Sequence, residues 1–159
     1  MGANVADLYE AKPFDGDVWT YNRKKTRELR ADRAEIHVRI PDCLRPFLDR
    51  LGSGTSSEWW LPVLHNSAVS SEKVTALLNK RLTRWAQVNG VPRFTMYAAR
   101  HSWATIARSR SVGIDKATVD ECLCHVGDYQ MTDIYAERDW STLWEANDKV
   151  LSLFDWKKD

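Results

Sequence analysis

Apolar residues return at helical spacing in successive segments from residue 70 to the C-terminus, while strict alternation is confined to two short runs before residue 41. This division constrains the fold most: it calls for a mainly α chain carrying one small antiparallel sheet, an α+β class. In the first run Val18, Thr20 and Asn22 alternate with Trp19, Tyr21 and Arg23; in the second Ile36, Val38 and Ile40 alternate with His37 and Arg39. The connection "KKTRELRAD" is polar and charged, so the two runs read as a β-hairpin with an exposed basic tip. A third strand would fit just before or after it.

The helical segments have their own punctuation. Residues 3–11 read as a short helix, and "DCLRPFLDRLG" as a second, with Asp42 at its start and Gly52 at its end. Residues 70–90 predict a long amphipathic helix with a stripe of Val74, Leu77, Leu78, Leu82 and Trp85, stopped by Asn89-Gly90. Thr95 heads the next helix, and Asp115 caps another that buries Val119, Cys122 and Leu123. "MTDIYAER" reads as short and helical. Leu143, Val150, Leu151 and Phe154 mark a closing helix. A length of 159 residues suits one domain with a real core.

No apolar run approaches the roughly 20 residues of a spanning helix, so no membrane partner is expected. Three cysteines, an odd number, form no disulfide framework and point to a reducing compartment, with the cytoplasm as default. Cys122, Cys124 and His125 form C-x-C-H without a second ligand pair, too little for zinc, so no metal is expected. Net charge is only +1, but it is unevenly spread. Residues 1–110 hold 18 Lys and Arg against 11 acids, and residues 111–159 hold 5 against 11. Between Lys73 and Arg110 there are eight basic residues and no acidic one, a one-sided field suited to a polyanion.

Arg100 sharpens that reading. On a helix it shares a face with Tyr97, Trp103, Ala104 and Ala107. A guanidinium keeps its proton, and buried without a counter-charge it costs several kcal/mol. It needs an anion, either a carboxylate of this protein or a ligand phosphate, and arginine is the usual fork for phosphate.

These residues stand in a larger ordered set: Arg100-His101-Ser102-Trp103-Ala104-Thr105, then Leu123-Cys124-His125, then Thr132-x-x-Tyr135, preceded by Lys25-Thr26 in the hairpin tip and "VRIP" after it. The set resembles the catalytic domain of the tyrosine recombinases, the phage-type integrases, which carry R-H-[ST]-[FW]-A-T, L-G-H and T-x-x-Y in this order. The similarity is greatest to integrases of Bacteroides-type mobile elements and spans nearly all of the chain. It implies the integrase catalytic-domain fold and site-specific recombination of double-stranded DNA in a bacterial, nucleoid-associated setting. The N-terminal DNA-binding domains of such enzymes are not in the sequence, so it reads as a fragment, monomeric alone and part of a homotetramer on DNA in the full-length protein.

The resemblance also implies the roles. Tyr135 is the nucleophile that forms a 3′-phosphotyrosine; its ordinary pKa near 10 means it needs activation. Arg100 holds the non-bridging phosphate oxygens. His125, at a helix end that favours the imidazolium, donates to the same phosphate or relays a proton. Lys25 protonates the leaving 5′-oxygen, with Lys24 its rival. Tyr97 hydrogen-bonds the phosphate, and Arg23, Lys24 and Arg27 contact DNA. No metal, ATP or other cofactor is implied. Two positions depart from the pattern: Asn4 stands where the family has its first catalytic arginine, and Tyr97 where it has a histidine. These departures motivate one alternative, a degenerate relative that docks on DNA without cutting. Another is a type IB topoisomerase, which shares the chemistry.

Overall fold

The computed structural model describes residues 1–52, 57–66, 70–125 and 138–156. They are mainly helical with a two-stranded antiparallel sheet. The elements are α1 (Val5–Glu10), β1 (Val18–Asn22), β2 (Glu35–Arg39), α2 (Arg45–Arg50), α3 (Ser71–Val88), α4 (Met96–Ala107), α5 (Lys116–Cys122) and α6 (Trp140–Leu151). Among the described residues no helix is long and apolar enough to cross a membrane. The chain divides into two compact units, Ala3–Arg100 and Met1–Gly2 with His101–Asp159.

The first unit is organised by the hairpin. β1 and β2 pair so that Trp19 faces Val38 and Tyr21 faces Ile36, which puts the apolar members of both alternations on one side. Trp19, Ile40, Ala11, Trp60 and Leu61 form the core there, with Trp19 stacked on Tyr21 at 4.0 Å. No third strand occurs among the described residues. The return into β2 passes through two consecutive left-handed residues, Arg33 at φ 52° and Ala34 at φ 50°. Such backbone costs a side-chain-bearing residue about 1–2 kcal/mol, offset here by Asp32 Oδ1, which accepts from Ala34 N–H at 3.0 Å, and by Asn22 Nδ2, which donates to the Arg33 carbonyl.

Some sequence expectations shift. The segment at Asp42 opens with a 3-10 turn, Asp42–Leu44, and α2 begins only at Arg45. Asp42 therefore does not cap the helix; its carboxylate accepts from Arg45 Nε at 3.0 Å. Gly52, at φ 72°, does follow the helix end. In α3, capped by Ser70, the stripe runs through Val74 and half-buried Leu78 and Leu82 to buried Ala86. Those four positions stand one turn apart, and Trp85 falls beside the line, 53% exposed and edge-on to Phe94.

The second unit packs Trp103, Ala107, Val119, Cys122, Leu123, Leu143, Ala146 and Val150 into one cluster. Trp103 Nε1 donates to buried Asn147 Oδ1 at 3.0 Å, which satisfies the one polar atom of the indole. α6 is capped by Asp139 and ends at Leu151, so Phe154 lies beyond it and is exposed instead of completing the stripe. Leu143 is 1% exposed at the centre of this cluster. Leu143→Ala is expected to lower unfolding free energy by about 2–5 kcal/mol in urea denaturation, since it leaves a cavity as well as removing apolar area. A loss below about 1 kcal/mol would show that the cluster collapses around the gap.

Candidate functional site

Of the residues singled out in the sequence, Arg23, Lys24, Lys25 and Arg27 lie together in the hairpin connection. β1 continues its alternation one residue past the strand, so Arg23 turns inward with Trp19 and Tyr21 and is buried. Its carbonyl accepts from Thr26 N–H at 3.1 Å and Arg27 N–H at 2.9 Å, which bends the chain into a tight turn carrying Lys24 and Lys25.

α1 supplies the anchors. Asp7 and Glu10 stand three apart, on one face of the helix. Asp7 Oδ1 accepts from the Lys24 backbone N–H at 2.8 Å. Glu10 grips two side chains: Lys24 Nζ at 2.7 Å and Arg27 Nη1 at 2.8 Å. Lys24 Nζ also donates to Ser71 Oγ, at the start of α3, at 3.2 Å. Lys25, between these two held residues, is exposed and makes no hydrogen bond or ion pair with the described residues.

The electrostatics follow. Burial pushes Asp7 above its usual carboxylate range, more than the Lys24 and Asn4 hydrogen bonds and the Arg23 charge pull it down. Burial also raises Glu10, but its bonds to Lys24 and Arg27 prevail and hold it below the usual range. Lys24 is raised by its bond to Glu10. Because folded Asp7 keeps its proton to higher pH than the unfolded chain does, its contribution is greatest below the ordinary aspartate pKa and falls as pH rises through the folded one. Asp7→Asn, which mimics the protonated acid, should therefore gain stability relative to wild type as pH goes from 4 to 7 in urea titrations. The opposite slope would mean that Arg23 and the amides favour the carboxylate on balance.

Arg100 lies on α4 and is 7% exposed, as its place in an apolar stripe requires; Trp103, one turn on, is buried as well. Tyr97, one turn earlier, is not part of that buried face: it is 54% exposed. The first N–H of α4, from Met96, is taken by Asn79 Oδ1 at 2.8 Å.

His125 follows α5. Cys124 adopts φ 49°, a position where glycine is usual, and the chain turns sharply out of the helix. His125 N–H then donates to the Asp120 carbonyl and Cys124 N–H to the Glu121 carbonyl, both at 2.9 Å. The imidazole is exposed, with Nδ1 3.4 Å from Asp120 Oδ1. Burial would raise Asp120, but Lys116 at 3.2 Å and His125 outweigh it and hold the carboxyl below its usual range. Cys122 belongs to the core: burial pushes its thiol up to about 12, and its sulfur donates to the Leu143 carbonyl.

Thr132 and Tyr135 lie outside the described residues. Asn4 precedes α1 in extended conformation, and its carbonyl accepts from Asp7 and Leu8 N–H at 3.0 Å. Within the first unit the structure brings together Arg23, Lys24, Arg27, Asp7 and Glu10. Glu10 and Asp120 escaped the sequence reading. Glu10 gave a signal only as an acid one helical turn from Asp7, and Asp120 only as an acid one turn inside the helix that ends before His125.

Comparison with family models, with curated proteins and with solved structures finds no match for the chain.

Proposed function

We propose that this chain is the catalytic domain of a tyrosine recombinase, with the integrase-type fold, acting on double-stranded DNA. The observation that carries the reading is the order Lys25, Arg100, His125 along the chain, each on the kind of element its role needs. Lys25 is free to reach out from a hairpin turn, while its rival Lys24 is held by Glu10. Arg100 sits on the buried side of a helix, where a low dielectric strengthens a fork of hydrogen bonds to phosphate. His125 stands exposed at a helix terminus with Asp120 beside its ring.

The reaction is an in-line phosphoryl transfer. The Tyr135 Oη–P bond forms as the P–O5′ bond breaks. Lys25 gives its proton to the leaving 5′-oxygen, and the phenolic proton passes to solvent. The 3′-phosphotyrosine keeps the bond energy, so attack by the 5′-hydroxyl of a second strand rejoins DNA. Arg100 and His125 stabilise the charge that builds on the non-bridging oxygens. Lys24 and Arg27 would add to DNA attraction through their charge, and Arg23 supports the turn from within.

The test uses a pool of nicked duplexes with randomised sequence at the nick, so that the short fragment released with the 5′-hydroxyl diffuses away after cleavage. The protein is expected to accumulate a detergent-resistant, protease-sensitive adduct on the 3′-phosphate end. Duplex binding without any adduct would overturn the reading in favour of a DNA-docking relative, which Asn4 and the exposure of Tyr97 motivate.

A further inference from the structure

We infer that Glu10 is a positioning residue for Lys25, acting through Lys24 and Arg27, which stand on either side of it in the hairpin turn; this rests on the recombinase reading above. Lys25 needs a fixed origin to deliver a proton to one oxygen, yet its own side chain makes no hydrogen bond or ion pair with the described residues. The turn around it supplies the origin. One carboxylate of α1, Glu10, closes on Lys24 Nζ at 2.7 Å and on Arg27 Nη1 at 2.8 Å, one oxygen for each. Asp7 pins the Lys24 backbone at 2.8 Å, and Ser71 Oγ takes Lys24 Nζ from the side of α3. Lys24 and Arg27 are each held by this carboxylate, and Lys25 is presented from a turn tied on both sides. The same clamp keeps Lys24 from competing: its ammonium is held by a carboxylate and a hydroxyl, while that of Lys25 is open. Two bonds to one carboxylate at short range resist salt better than a single exposed pair does.

A substrate with sulfur at the bridging 5′ position separates this role from a structural one, because a thiolate leaves without being protonated. On the ordinary nicked pool, Glu10→Gln is expected to slow adduct formation about tenfold or more, with DNA retention unchanged. On the 5′-thio pool the loss should shrink below about threefold, as it should for Lys25→Ala. The double variant should be no slower on the oxygen pool than Lys25→Ala alone, since the two residues serve one proton transfer. Glu10→Asp, which keeps the charge, should recover part of the rate. An equal loss on both pools, additive effects in the double variant, or an unimpaired Glu10→Gln would each overturn the inference. A wild-type protein that forms adduct on neither pool would overturn the recombinase reading itself.

Discussion

Tyr135→Phe is expected to abolish the covalent protein–DNA adduct while leaving duplex binding within about twofold. The substitution removes one oxygen and keeps the ring, so it takes away the proposed nucleophile and little else. In-line attack needs the reacting oxygen within about 3–3.5 Å of phosphorus and aligned with the leaving group, so another hydroxyl is not expected to take over at a comparable rate. The drop should exceed 10²-fold and reach background in a denaturing gel. A Phe variant that still traps DNA would put the nucleophile elsewhere. A variant that loses binding and adduct in parallel would make Tyr135 a gripping residue, not a reacting one.

Arg100→Ala is expected to lower the cleavage rate by about 10²–10³-fold, the usual effect of removing a fixed donor from developing phosphoryl charge. Binding to a long duplex should fall only a few-fold, because many phosphate contacts share that affinity. Arg100 is buried, so truncation also carries a folding cost of several kcal/mol where a charged partner is stranded. Arg100→Lys is the control: it keeps the charge on a side chain of similar length and loses only the planar fork. It should fold with a melting temperature near that of wild type and still cleave at least tenfold more slowly. Equal losses in cleavage and binding would reduce Arg100 to an anchor. A lysine variant with wild-type rate would show that charge alone is what matters there.

Much of this fold was legible because its signals are local. The hairpin announced itself through period-two alternation, and the register of Trp19 with Val38 and Tyr21 with Ile36 follows once both apolar faces turn one way. The same alternation placed Arg23: as the next inward position after Tyr21 it is buried, where the resemblance had implied a DNA contact. Arg100 was legible for the same reason, as a charge on an apolar helical face. Trp85 was not, because a four-residue helical spacing admits two neighbouring lines and only packing chose Ala86 over it. Tyr97 misled similarly, at the first turn of a helix where one face is not yet covered. The grip of Glu10 on Lys24 and Arg27 joins residues of different elements, and nothing in spacing announces it.

The two-stranded sheet has a consequence for how the protein behaves in a crowded solution. Among the described residues the sheet has two strands, so each is an edge strand, the kind of element with which another chain can pair. Five-residue strands give such growth little length to start from, and the outward side is set against it: Glu35, His37 and Arg39 alternate along β2, with Glu35 bonded to His37 at 2.9 Å. A second molecule that tried to extend the sheet would have to bring its own strand alongside this polar row, with the charges of Glu35 and Arg39 in it. The hairpin thus carries its own guard against aggregation on the strands themselves.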